Sequence, residues 1–170
     1  MLTGVTRPEP PPTGDERPML AVWLDYQRAT LLVKCEGLDG AALGSRAVPP
    51  SALSLLGLVR HMTLVEWSWF DHVFAGSPSP EPISTVDDID ADFNDIDPDR
   101  AAADLELFGH QCEVSRSIAA AAEDLDILSV STERTTVSLR WIMIHMIEEY
   151  ARHNGHADLL REQIDGAVGE

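Results

Sequence analysis

Apolar residues recur at three- and four-residue spacing along four long segments of this 170-residue chain, and proline and glycine separate the segments. This period predicts amphipathic α-helices, and no segment shows the convincing two-residue alternation of a half-buried strand. A chain of this length is about the size of one domain and buries enough surface to stay folded without a disulfide. We therefore predict an all-α protein, an antiparallel four-helix bundle with up-down-up-down order and one long crossover loop.

Breakers and capping residues set the predicted bounds of the elements. Residues 1–14 are rich in Pro, Gly and Thr and should form an extended tail, followed by the bundle over residues 15–170. The acidic, turn-rich residues 76–97 should form the long connection. The predicted helices are 15–37, 53–74 with Ser51 or Ser54 as its cap, 97–124 with Asp97 as its cap, and 135–164 with Thr135 or Thr136 as its cap.

The chain is strongly acidic, with 12 Lys and Arg against 29 Asp and Glu and a formal net charge of −17. This charge opposes binding to nucleic acid or to an anionic membrane surface. The N-terminus lacks a signal pattern, and no apolar run is long enough to span a membrane, so we expect a cytoplasmic protein. All basic residues but Lys34 are Arg, a bias expected of a GC-rich genome.

Several kinds of site lack support in the sequence. Cys35 and Cys112 lie far apart in predicted helices, so we expect reduced, partly buried thiols rather than a disulfide or a CxxC metal site. The acidic series in the long connection suggests a calcium loop, but Phe93 occupies the position of the sharp-turn glycine and the twelfth position is not Glu. That series comprises Asp88, Asp90 and Asp92. No glycine-rich phosphate loop or local nucleophile arrangement occurs.

Potential metal ligands share one stripe of the last predicted helix, at the border of its apolar face. On a helical wheel with Glu149 at zero, His153 falls near ~+40°, His145 near ~−40° and His156 near ~−20°. A buried glutamate among imidazoles is costly unless a cation compensates its charge. The spacing of Glu149 and His153 lets adjacent turns offer an oxygen and a nitrogen to one ion.

His61, on the second predicted helix, is the candidate third ligand because its i±3 and i±4 neighbours are apolar or glycine. Two alternatives stay open: His61 is a packed core residue, or Glu149 pairs with Arg152. A His, Glu, His set suits one divalent ion, zinc first with nickel or iron as alternatives, and leaves positions open for water or substrate.

Other residues near the stripe receive supporting roles. We expect His145 and His156 to act as hydrogen-bond partners of the ligands or as proton shuttles. Trp141, two turns before Glu149, could form the wall or floor of a pocket. The aromatic residues of the second helix are expected to be core or dimer contacts; they are Trp67, Trp69, Phe70 and Phe74.

Two stretches carry a family resemblance. The first is Leu58-Val59-Arg60-His61-Met62 with Glu66 and Trp69-Phe70, and the second runs from His145 through Glu149 and His153-Asn154-Gly155-His156. They resemble the DinB/YfiT-like superfamily, and within it the actinobacterial "mini-circle" or domain-of-unknown-function branch. This branch is similar to the N-terminal domain of mycothiol-dependent maleylpyruvate isomerase. The resemblance covers about residues 16–166.

The resemblance implies a four-helix bundle with a rather exposed metal ion held by His61, Glu149 and His153. Many members have His where this chain has Glu149, which leaves the ligand count intact and makes the site more anionic. It also implies a thiol-dependent transferase, and the arginine bias suits an actinobacterium and hence mycothiol as cosubstrate.

The predicted function is therefore a metal-dependent thiol S-transferase in which an activated thiolate attacks a small electrophile. His145 or His156 would carry the proton. Two alternatives remain: a metal-dependent hydrolase, and a non-catalytic module whose site is closed by a fourth protein ligand. The expected partners are a small-molecule thiol and an electrophile, without nucleic acid or membrane, and a homodimer is possible.

Overall fold

A computed structural model of the chain describes residues 2–78, 90–131 and 135–169. These ranges contain helices and one isolated β-bridge but no strand, so the predicted all-α class is confirmed. The helices are α1 Glu16–Cys35, α2 Gly40–Leu43, α3 Leu55–Glu66, α4 Ala91–Asn94, α5 Ala101–Ala121 and α6 Leu139–Asp165. A π-helix, Trp67–Phe74, continues α3, and a 3-10 helix, Pro98–Arg100, leads into α5. None of the helices in these ranges is long and apolar enough to cross a membrane.

The four long helices run up, down, down, up, which corrects the predicted up-down-up-down order. The first and last of them are parallel. Near their N-terminal ends, Glu16 of α1 accepts a hydrogen bond from Arg140 of α6. Near their C-terminal ends, Lys34 lies 2.7 Å from Asp158. In the predicted order these two helices would be antiparallel, and the same pairs of residues could not meet.

The two middle helices are parallel as well. Arg60 of α3 pairs with Asp104 of α5, and farther along both helices Asp71 accepts a hydrogen bond from Gln111. A chain that leaves the far end of α3 must return along the bundle before a parallel α5 can begin. The part of this connection that the structure describes includes α4, which packs against α3. Parallel neighbouring helices require a long connection, and the length of the segment between α3 and α5 meets that requirement.

The predicted helix ends are partly confirmed. Ser54 caps α3 by accepting from the Gly57 N–H, and the helical segment ends at Phe74 as expected. The prediction for the last helix is wrong, because Ser138, not a threonine, caps α6. The preceding residues are extended instead, since the Ser129 N–H donates to the carbonyl of Val137.

Three smaller differences concern segments between or beyond the long helices. The third helix stops at Ala121 rather than near residue 124, and the first connection contains α2. Asp97 accepts from the Asp99 N–H, as the predicted cap should. Residues 2–14 carry no helix, and the Gly37 N–H donates to the carbonyl of Leu2. The tail boundary at residue 14 stays a prediction.

The core contains one buried ionic cluster beside its aliphatic and aromatic side chains. Arg28 of α1 is 3% exposed and donates two hydrogen bonds of 2.7 Å to Glu66, which is 0% exposed. The Tyr150 hydroxyl donates to the same carboxylate at 2.8 Å. Because both oxygens of Glu66 are bonded, its charge is compensated without water. The cluster joins α1, α3 and α6 at the centre of the bundle.

Both cysteines are free thiols, and both are fully buried rather than partly buried. Burial raises the pKa of the Cys35 thiol to about 12 and that of the Cys112 thiol to about 12. Neither sulfur is therefore a thiolate near neutral pH, and neither is a plausible nucleophile.

Candidate metal centre

The bundle brings the predicted ligands His61, Glu149 and His153 together between α3 and α6. One potential ligand atom from each lies within 4.8 Å of those of the other two. Nε2 of His153 is 3.7 Å from Oε2 of Glu149, and the ring centroids of His61 and His153 are 4.7 Å apart. The three side chains are 21%, 17% and 12% exposed, respectively for His61, Glu149 and His153. An ion held by these atoms would therefore be reachable from solvent.

Asp92, which the sequence did not suggest as part of the site, holds one of these residues. Its Oδ2 lies 2.7 Å from Nδ1 of His61, and its side chain is 4% exposed. The carboxylate makes Nδ1 the protonated nitrogen and leaves the lone pair on Nε2. Metal-binding histidines are commonly oriented in this way by a carboxylate behind the ring. The same hydrogen bond would also satisfy the ring of a packed core histidine, so the ligand role of His61 stays a prediction.

The short helix α4 is seated so that Asp92 reaches this position. Arg60 donates to the backbone carbonyls of Asp92 and Ala91, at 3.2 and 3.4 Å. The ring of Phe93 stacks on that of His61, with centroids 4.6 Å apart. Gly57 permits this close approach, because an added Cβ there would lie 3.3 Å from the Phe93 ring. The crossover thus supplies both a hydrogen-bond partner and a stacking partner to one candidate ligand.

His153 is suited to bind an ion as a neutral imidazole. Burial, together with the nearby His61 and His156 rings, lowers its pKa to about 4. Near neutral pH the ring therefore keeps a free lone pair. Nδ1 of His156 lies 3.4 Å from Nδ1 of His153, which can orient the ring and leave its Nε2 toward Glu149.

His145 lies on the other side of Glu149. Its Nε2 is 3.7 Å from Oε1 of Glu149, whereas His153 faces Oε2. The His145 ring stacks on Trp141 at 4.9 Å and meets Trp69 edge-on at 4.7 Å. Trp141 is 45% exposed, so the predicted wall residue forms an open aromatic surface next to His145.

One alternative raised by the sequence, and a second group of potential ligands that the sequence did not suggest, can be compared with the geometry. Arg152 approaches Glu149 only to 3.9 Å and makes a closer ion pair with Glu148. A second group of potential ligands, formed by His145, Glu148 and Glu149, comes entirely from α6, and Arg152 already neutralises its outer carboxylate. In the described part of the chain the pairing of Glu149 with Arg152 is therefore present but long, and this alternative to a metal ligand stays open.

The remaining sequence expectations have mixed outcomes. Phe70 and Phe74 lie in the core, as predicted. Trp67 is half-buried and stacks on His72, and dimer contact by these aromatics stays a prediction. Of the rejected calcium series, Asp88 falls outside the described residues. Asp92, from the same series, makes a hydrogen bond with Nδ1 of His61 instead.

The donor set matches a divalent transition ion. Two imidazole nitrogens and one carboxylate oxygen suit zinc, nickel or iron. Over residues 2–78, 90–131 and 135–169, no fourth His, Cys, Asp or Glu completes the group of His61, Glu149 and His153. A set of fewer than four protein ligands leaves room for an exogenous one, which is the arrangement of catalytic rather than structural sites.

The comparisons with known proteins identify the family of the chain. The family model described as mycothiol S-transferase matches residues 19–166, a range that includes all three candidate ligands. No curated protein matches the chain. Because the match covers most of the chain, it establishes the family and confirms the DinB/YfiT-like resemblance. The chain belongs to the mycothiol S-transferase family, a DinB/YfiT-like family of thiol transferases.

Proposed function

We propose that this protein joins mycothiol, through its sulfur, to a small electrophile with the help of one divalent ion, held by His61, Glu149 and His153. The observation that supports the proposal is the convergence of these side chains in a member of the mycothiol S-transferase family. When bound, such an ion supplies positive charge that favours thiolate over thiol near neutral pH. Zinc is the first candidate, with nickel and iron as alternatives.

The protein's own residues orient the donors and set their charge. Asp92 holds His61 in one tautomer, and the stacked Phe93 ring restricts its rotation. Burial keeps His153 neutral and able to donate its lone pair. Glu149 supplies the single anionic donor. Donors held in this way by neighbouring side chains need little reorganisation when an ion binds.

In the proposed transfer, the thiol loses its proton, the sulfur forms a bond to an electrophilic carbon, and the leaving group departs with the electron pair. His145 and His156 are the predicted proton acceptors, since each lies next to one of the candidate ligands. The exposed face of Trp141 is available to a flat or apolar part of the electrophile. These roles are part of the proposal.

The test compares tag-free native protein with Glu149→Ala and with Glu162→Ala, an exposed glutamate on the same helix. Metal content is measured by elemental mass spectrometry, and transfer is measured with mycothiol and an electrophile whose conjugate is fluorescent. We expect about one ion per chain and thiol-dependent turnover in the native and Glu162→Ala proteins, and the loss of both in Glu149→Ala.

Three other outcomes would contradict the proposal in different ways. Turnover that needs the ion but not the thiol would indicate a hydrolase. A bound ion without any turnover would favour a module in which the metal only ties α3 to α6. Metal-free protein, even after incubation with zinc, nickel and iron, would refute the metal-based mechanism and leave the histidines as packing residues.

A further inference from the structure

A cleft of about 370 Å³ lies between α1 and α5 and shares no residue with the candidate metal centre. Its inner wall includes Leu24, Phe70 and Met143, which are 2%, 0% and 3% exposed. The volume falls within the range of about 300–1,000 Å³ that is typical of small-molecule sites.

Ser115 lies in this inner wall and is 0% exposed. Its Oγ has no hydrogen-bond partner among the residues that the structure describes. Buried hydroxyl groups in folded proteins are nearly always paired, because an unpaired one has lost its hydrogen bonds to water without replacement. The unpaired hydroxyl points to a polar atom that a ligand would supply.

The charged residues of the cleft favour an anion. Arg17, Arg28 and Arg116 line it against a single carboxylate, that of Asp25. Glu66 and Asp25 both pair with Arg28. Arg116 pairs with Asp25 at 2.8 Å and also with Glu113.

Arg17 is the remaining positive charge at the edge of the cleft. It donates to the backbone carbonyls of Ala119, Ala122 and Glu123 at the end of α5. Those bonds use some of its five N–H donors, and no described carboxylate forms an ion pair with it. A positive edge beside an apolar wall is unusual in a chain with a net charge of −17.

From these observations we propose that the cleft is a second ligand site, for a small amphipathic monoanion. The apolar body would lie against Leu24, Phe70 and Met143. The anionic head would lie near Arg17 and accept a hydrogen bond from Ser115. The site goes beyond the proposed transfer reaction and does not depend on it, because the two sites use different residues.

The test uses decanoate as the probe, below its micelle concentration, in isothermal titration calorimetry. Native protein should bind one decanoate per chain. Ala119→Leu, which fills the cleft, should weaken binding at least tenfold, and Ser115→Ala should weaken it several-fold. Ser117→Ala, at an exposed position of the same helix, should leave the affinity unchanged. Circular dichroism and urea midpoints identify any variant that fails to fold.

The role of the charge is tested separately. Arg17→Gln should weaken decanoate binding several-fold while leaving binding of decanol, the uncharged analogue, unchanged. The proposal is overturned if native protein binds no decanoate, if Ala119→Leu binds it normally, or if decanol binds as tightly as decanoate. Metal content is measured on the same samples, so failure of this site is distinguishable from failure of the metal centre.

Discussion

Replacing Asp92 with asparagine should weaken metal binding although Asp92 is not a ligand. Asparagine has nearly the same shape, but its one carbonyl oxygen can replace only one of the two oxygens that now face Nδ1 of His61 and the Phe93 N–H. With that oxygen toward His61, the hydrogen bond from Nδ1 is kept. Asparagine lacks the negative charge, which makes the imidazole a stronger donor and stabilises the positive charge shared with a bound ion. The perturbation therefore removes the electrostatic contribution while retaining most of the packing around Phe93.

The magnitude follows from the geometry. The Asp92 to His61 distance is 2.7 Å, and both partners lie largely out of solvent, with side chains 4% and 21% exposed. Water and salt therefore screen the interaction weakly. Loss of such partners commonly weakens metal affinity by about 10–100-fold. Because the asparagine keeps one hydrogen bond, we expect a loss near tenfold, or about 1.4 kcal/mol.

The assay is a competition titration in which zinc is partitioned between the protein and a chromophoric chelator. Asp95→Asn is the matched control, because it makes the same charge change at an exposed position one turn away. It should retain the native affinity to within about twofold. Equal affinities for the Asp92→Asn and native proteins would refute the argument that the carboxylate prepares His61 for an ion.

Three further predictions concern stability and thiol reactivity. Glu66→Gln should lower the free energy of unfolding by about 3–5 kcal/mol in urea titrations, because it leaves the buried Arg28 with Asp25, a partly exposed carboxylate, as its remaining counter-charge; a loss below 1 kcal/mol would contradict this. Cys35 and Cys112 should resist iodoacetamide at pH 7 in native protein and react after unfolding, since burial raises the pKa of each to about 12. Metal-free protein should lose stability as the pH falls from about 6.5 toward 4. In this range His153 binds a proton in the unfolded chain but stays neutral in the folded protein, where its pKa is about 4. His153→Gln should flatten that slope.

The helical class and the candidate ligands could be predicted because their signals are local. Helical period depends on neighbouring turns, and Glu149 and His153 occupy adjacent turns of one helix. The core-facing direction of His61 could be predicted for the same reason. The predicted order of the helices was wrong, although the length of the connection between α3 and α5 favoured the observed order. Antiparallel neighbours need only about 2–8 connecting residues, so a connection as long as 76–97 favours parallel α3 and α5.

Asp92 had no such signal. It lies 31 residues from His61, and its position depends on the path of the crossover and on the seating of α4 beside Gly57. The predicted start of α6 was wrong for a related reason. Thr135 and Thr136 have good capping side chains, but pairing of Val137 and Ser138 with the preceding segment keeps the backbone extended until Ser138. Tertiary contacts decided both positions.

The presence of Glu149 in place of a third imidazole changes the charge available to the proposed reaction. With Glu149 as a donor and Asp92 bonded to His61, two carboxylates already offset the two charges of a divalent ion. Such a site holds the ion firmly, but less positive charge remains to stabilise a thiolate than in a site with three imidazoles. Removal of the thiol proton then depends more on a nearby base. His145, which is 3.7 Å from Glu149 and fixed by Trp141 and Trp69, is the side chain best placed for that task.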